Sequence, residues 1–343
     1  MKVNELRTAL DKYEKAALKE IVVLLYKKIP KNRKEDEGLD ELLLNYSKEN
    51  ERAKKAEAPV DFSKLADEIM GFFSLADAQM YFAPNKIVNK TKRSKWRLEV
   101  KRFIKDLSSV TGESSVAAAR VLAYVYEMLS YACNYYIFNT QSPFTAVGYK
   151  QRDLLYLVLY KIFYNGYDDR AMKTAVYVTL DSNVDRDSLH SWLMNVLLGF
   201  LKTPDTLEMA IRHCVAFRLE YDAYQGGKKI FRYRKNDTFR KEEKINESAE
   251  LYLMLKIKLA EYDDGIGYFW QYYKNYRPEV TLYVLLLILA AHDLNDLWIR
   301  EYEKAVKKKI EPRKSLQAEY EKRKTGWIPE NDVIDVDGDE EDD

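Results

Sequence analysis

Twelve glycines and eight prolines are all that punctuate a chain of 343 residues. Tight turns lean on those two residues, because glycine enters the left-handed backbone region cheaply and proline presets φ. A chain poor in both has few ways to build hairpins. Its apolar residues recur every three to four positions rather than every second one, which is the period of an amphipathic helix. The sequence therefore predicts an all-α protein, a multi-helix array or irregular solenoid-like bundle of about a dozen helices. No repeat of 30 to 50 residues is legible, so the named repeat architectures gain no support.

Helices are expected over Asn4 to Lys28 (broken near Tyr13), Leu39 to Ala58, and Phe62 to Phe82 behind Asp61 as N-cap. Others are expected near 94–110, 113–139, 147–165, 168–181, 186–202, 204–224, 245–262, 266–276, 278–310 and 312–324. "NGYDD", "DSNVDRDS" and "KTPDT" combine turn residues with Asp, Ser or Thr placed to cap the helix that follows. Gln225 to Lys244, "QGGKKIFRYRKNDTFRKEEK", breaks the helical period and reads as an exposed insertion, either a small β-hairpin near 228–241 or a long loop. The organisation expected is an N-terminal helical region, 1–58, a main helical body, 61–325, and a disordered acidic tail, 326–343.

Lys and Arg number 56 against 55 Asp and Glu, a net charge of +1, so a uniformly basic nucleic-acid binder is excluded and only a polarised one fits. Two cysteines, Cys133 and Cys214, make no disulfide framework, and a reducing, cytoplasmic setting is expected. The first twenty residues are charged throughout and lack the apolar core of a secretory signal. The longest apolar run, Leu282 to Ala291, is about half of a bilayer span, so no membrane role is expected.

Charge is concentrated in three places. Lys86 to Lys105 holds nine cations and one acid, Glu99. On a helical wheel Trp96, Val100, Phe103, Ile104 and Leu107 share one face, with Arg97, Lys101, Arg102 and Lys105 opposite; Lys90, Lys92, Arg93 and Lys95 extend the patch. Many cations on one solvent face suit phosphate contacts. The plain alternative is a solvated helix face. The insertion supplies Lys228, Lys229, Arg232, Arg234, Lys235, Arg240, Lys241 and Lys244, interleaved with Phe231, Tyr233 and Phe239, as single-strand binders combine stacking with charge. A soluble charged loop would look the same. The third place is the tail: residues 331–343 carry eight acids and no cation, and without them the net charge rises to about +9. Such a tail can compete with polyanions for a basic groove or dock on a partner. "VIDV" (Val333, Ile334, Val336) resembles a SUMO-interacting motif, which implies strand addition to a partner's sheet edge.

Aromatic residues offer two more candidates. Tyr149, Tyr156, Tyr160 and Tyr164 fall within about 80° of one wheel, with Tyr124, Tyr131 and Tyr135 as a second wall, giving a core edge or a ligand groove. "YFWQYYKNY" (Tyr268 to Tyr276) has six aromatics in nine residues, and as a helix they span about 200°. That width argues for burial on two sides of an inner helix rather than a platform in water.

The N-terminus resembles a SAP-type DNA-binding hairpin through Val3, Leu6, Leu10 and Leu24, but without that hairpin's glycine turn. "LLLILAAHDLNDL" is similar to the central motif of HD-domain metal phosphohydrolases, which implies His292 and Asp293 as metal ligands and His213 as the upstream histidine. The resemblance covers about a dozen residues, the interval from His213 to His292 is long for it, and His292 with Asp296 also makes an ordinary i, i+4 pair. No zinc spacing, glycine-rich phosphate loop or nucleophile elbow occurs, and no cofactor is expected. The expectation is a soluble, non-enzymatic binding or scaffold protein whose basic patches contact DNA or RNA under control of the tail. Its rival is an interaction adaptor with an aromatic groove and residues 331–343 as docking peptide.

Overall fold

A computed structural model describes residues 9–10, 12–30, 61–223 and 238–326. Among them lie fifteen α-helices and no β-strand: α1 (Lys15–Lys28), α2 (Phe62–Asp77), α3 (Lys90–Ser94), α4 (Trp96–Ser109) and α5 (Ser115–Asn134). Then follow α6 (Pro143–Ala146), α7 (Gln151–Phe163), α8 (Asp169–Leu180), α9 (His190–Phe200) and α10 (Pro204–Asp222). The last five are α11 (Thr238–Lys258), α12 (Tyr262–Tyr272), α13 (Pro278–Ala291), α14 (Asn295–Lys307) and α15 (Lys314–Lys324). No helix among the described residues is long and apolar enough to cross a membrane.

The chain divides into two compact units, Met1–Val60 and Asp61–Asp343. In the first, the turn at Lys12–Tyr13 precedes α1, whose Val22, Val23, Leu24 and Leu25 are exposed. The helix expected over 39–58 lies outside the described residues. In the second, each helix packs mainly on neighbours near in sequence. Helix α5 is the hub of the first half, touching α2, α4, α6 and α7, and α11 is the hub of the second, touching α8, α9, α10 and α12.

Local chemistry explains most boundaries. Asp61 and Asp168 accept hydrogen bonds from Lys64 N (3.3 Å) and Ala171 N (2.7 Å), each satisfying an orphan amide of a first turn. Thr203 and Thr206 form a capping box, with Pro204 in the first turn where its missing N–H costs little. The core of the second half gathers Leu253, Phe269, Leu285, Leu289 and Trp298, each burial worth about 1.5–3 kcal/mol.

Four helix ends close without glycine. Gln79, Ala260, Asp293 and Lys309 have φ between 56° and 62°. Beyond each, the next amide reaches back five residues: Met80 N to Leu75 O, Glu261 N to Lys256 O, Leu294 N to Leu289 O and Ile310 N to Ala305 O, all at 3.0 Å. This is the Schellman closure, made by residues that sit in the left-handed region at a cost of about 1–2 kcal/mol. It splits the helix expected over 278–310 into α13 and α14 at Asp293. The aromatic helix also ends early, at Tyr272, leaving Tyr276 exposed.

The connector from α8 to α9 is buried. Asp181, Ser182, Asn183 and Asp185 are all withdrawn from solvent, so its backbone groups need partners from the protein. Lys244 Nζ donates to Leu180 O (2.9 Å) and Ser182 O (2.7 Å). Gln151 Nε2 donates to Asn183 O (2.8 Å), and its Oε1 accepts from Asp185 N (2.7 Å). Ser130 Oγ accepts from Asn183 N at 2.7 Å, and Asp185 accepts from Phe144 N at 3.1 Å. The Asp and Ser side chains of "DSNVDRDS" are therefore not capping α9, whose N-cap is Leu189 without a side-chain bond. Lys244 also pairs with Glu247 (2.7 Å), which takes His190 Nε2 on its other oxygen (2.8 Å). Burial alone would raise the Glu247 carboxyl; Lys244 and His190 bring it below its ordinary value.

Candidate polyanion-binding face

The basic segment is built on a turn and two helices. Asn85 Oδ1 accepts from Ile87 N (2.9 Å) and Val88 N (2.7 Å), folding the approach to α3. Arg93 is tied down there, donating to Val88 O at 2.5 Å and Asn85 O at 3.4 Å. Helix α4 buries Trp96, Val100, Phe103, Ile104 and Leu107, as its period predicts, and Trp96 stacks on Phe138 at 3.9 Å. Lys86, Lys90, Lys92, Lys95, Arg97, Lys101 and Lys105 remain exposed. Arg97, Lys101 and Lys105 stand four residues apart and form one ridge along α4.

Arg102 is different. It makes ion pairs with Glu68, Glu99 and Asp106, the last two at 3.1 and 3.3 Å. Burial would lower the pKa of its guanidinium, but hydrogen bonds to Glu99 and Glu68 raise it above its ordinary value. It fastens α4 to α2 and neutralises the segment's one acid, rather than adding to the exposed ridge.

The second basic segment does not form the surface expected of it. Lys228, Lys229, Arg232, Arg234 and Lys235 lie outside the described residues, as do Phe231 and Tyr233. From Thr238 the chain is helical, which overturns the hairpin reading for 238–241. Arg240 and Lys244 are buried, Arg240 3.9 Å from Asp181 and Lys244 holding the α8–α9 connector. Their charges face carboxylates and carbonyls inside the fold, where no phosphate can reach them.

The tyrosine stripe is carried by α7, which two contacts join to α4. Tyr156 and Tyr160 on α7 and Tyr164 at its C-cap are 56, 50 and 54% exposed, large values for aromatic residues. Along one flank of α7, Lys161 Nζ donates to Ser108 O (3.1 Å) and to Val110 O at the end of α4. The Lys101 ammonium lies 3.4 Å from where a Cβ on Gly148 would sit, in the turn before α7. The ridge and the stripe thus run along adjacent elements in the same direction. On the other flank, Tyr156 and Phe163 pack against Phe200 of α9 at 5.1 and 5.7 Å, and Tyr167 donates to Phe200 O at 3.1 Å. The expected second wall lies elsewhere: Tyr124 packs edge-on against Phe73 of α2, and Tyr131 stacks on Tyr135.

Exposed Lys150 and Arg152 at the start of α7 add cations to this face, and Asp153 is its acid, 3.7 Å from Arg152. Lys161 is the residue that sequence reasoning missed. A lysine on a helix reads as solvated, yet this one is buried, its pKa depressed by desolvation, and it caps the carbonyl end of α4. Its position on the buried side of the α7 wheel, between Leu154 and Leu157, is the signal that marks it.

The residues that resemble an HD motif do not converge. His292 is the C-cap of α13, Asp293 sits at φ 56°, and His213 pairs with Asp169 on α8 at 2.9 Å. Among the described residues no three His, Cys, Asp or Glu side chains are placed to hold a metal. Compared with protein families, curated proteins and solved structures, the chain matches none.

Proposed function

We propose that this is a non-enzymatic binding or scaffold protein that contacts nucleic acid through the α3–α4 face. One observation carries the reading: seven exposed cations between Lys86 and Lys105, with the segment's only acid, Glu99, occupied by Arg102. Affinity then comes mainly from displaced counterions and falls steeply with salt, by a slope of about −0.7 to −0.9 per phosphate neutralised. The acidic residues 331–343 compete for the same cations, so their removal strengthens binding at low salt.

The test is a binding titration of DNA and RNA oligonucleotides at 50 and 200 mM salt, with the full chain and with a chain ending at residue 330. Affinity that drops at least about tenfold across that interval, and rises on truncation, supports the reading. If neither protein binds either nucleic acid at low salt, the reading is wrong.

A further inference from the structure

We propose that the occupant of this face is a single-stranded nucleic acid, with its backbone along the Arg97, Lys101 and Lys105 ridge and its bases stacked on Tyr156, Tyr160 and Tyr164. The inference rests on the binding reading above and names its ligand. Three observations carry it.

The first is juxtaposition. Lys101 reaches the Gly148 turn and Lys161 reaches the end of α4, so the cation ridge and the tyrosine stripe are neighbouring parallel tracks. Sequence-tolerant single-strand sites combine these two elements, a positive track for phosphates and aromatic faces for bases. The second is exposure. Each of the three tyrosines is half or more exposed, whereas Phe163, the other aromatic of α7, is buried. Exposed apolar surface gathered into one stripe marks an interaction site more often than scattered single residues do.

The third is spacing. The rings of Tyr160 and Tyr164 are 6.3 Å apart and inclined 58° to each other, so neither covers the other's face. Bases in a duplex strand advance ~3.4 Å and cover each other's faces, so they cannot lie one on each ring. A strand with its bases parted can. Lys150 and Arg152 add two exposed cations at the start of α7, Arg152 four residues before Tyr156.

The experiment uses the full chain and labelled oligonucleotides: a fifteen-nucleotide single strand, the matching duplex, and inorganic polyphosphate as a competitor without bases. Fluorescence anisotropy is read for the parent protein and for Tyr156→Ala, Tyr160→Ala, Tyr160→Phe and Lys101→Glu, with far-UV circular dichroism confirming that each is folded. Each alanine should weaken single-strand binding by about 5- to 100-fold while leaving polyphosphate binding unchanged. Tyr160→Phe, which keeps the ring, should stay within a few-fold of the parent. Lys101→Glu should weaken all three ligands together. Equal affinity for single strand and duplex, or alanine variants that bind the single strand as the parent does, would overturn the proposal and leave the polyanion reading standing. Absence of binding to every polyanion at low salt would remove both.

Discussion

Replacing Lys244 by methionine tests how the buried connector is held. Lys244 is almost fully enclosed, and its ammonium serves Leu180 O, Ser182 O and Glu247 at 2.7–2.9 Å. Methionine matches its length but leaves two buried carbonyls short of a donor and a buried carboxylate short of its lysine. Hydrogen bonds from a charged donor contribute about 1.5–3 kcal/mol each, and breaking a buried ion pair from one side costs about 3–5 kcal/mol. The expected loss is therefore about 3–5 kcal/mol in urea unfolding at pH 7, followed by far-UV circular dichroism. Removing the stranded charge as well, in Lys244→Met with Glu247→Gln, should recover about 1–3 kcal/mol of that. The sign with pH follows from the carboxyl. Glu247 is held below its ordinary 4.5, so its pairing stabilises the fold fully above that pH and is lost as pH falls through the lowered value. The penalty should accordingly shrink on acidification below pH 4.5. A loss under 1 kcal/mol at pH 7, or a double variant as costly as the two single losses added, would refute the reasoning.

Four further outcomes can be checked by thermal or denaturant unfolding. A Cβ on Gly265 would meet Lys256 Cβ at 2.9 Å and Leu253 Cδ1 at 3.1 Å, so Gly265→Ala should cost about 1–3 kcal/mol. Gly267→Ala, on the same helix with open space around it, should instead gain about 0.5–1 kcal/mol. Asp293→Gly removes left-handed strain at the α13–α14 break and should stabilise by about 0.5–1 kcal/mol, with Asp293→Ala failing to do so. Burial, and then the nearby Glu247, raise the Glu250 carboxyl to about 8. The native state then keeps a proton that the unfolded chain releases, and stability falls as pH rises from about 4.5 to 8. A shift that large is worth about 5 kcal/mol for a dry carboxyl. Glu250 keeps part of its surface in water, so Glu250→Gln should match the parent near pH 4.5 and exceed it by a smaller margin, about 1–2 kcal/mol, at pH 9.

Helices were legible in the sequence because period and caps are local properties: Asp61, Asp168 and the Thr203–Pro204 start all appear as read. The apolar face of α4 was legible for the same reason. What escaped depends on contacts remote in sequence. Asp293 ends α13 through a backbone conformation its side chain does not advertise, so one helix was read where two exist. Lys244 carries the charge of a surface residue, and the carbonyls of a buried connector together with Glu247 make its burial favourable, while Arg240 stands beside Asp181 of the same connector. The candidate site divides likewise. Its cations and tyrosines could each be picked out by spacing, whereas their adjacency is fixed by Lys161 reaching from α7 to the end of α4.

The buried α8–α9 connector has a consequence for how the molecule comes apart. Arrays whose helices touch only near neighbours can unravel from either end, each unit largely indifferent to distant ones. Here Ser130, Gln151 and Lys244, spread over more than a hundred residues of chain, grip the same few peptide groups. None of the three can let go without leaving a polar group dry and unmatched, so the two hubs stand or fall together. The connector works as a latch between halves that would otherwise fray independently, and amide hydrogens on α5 and α11 should exchange through one shared opening.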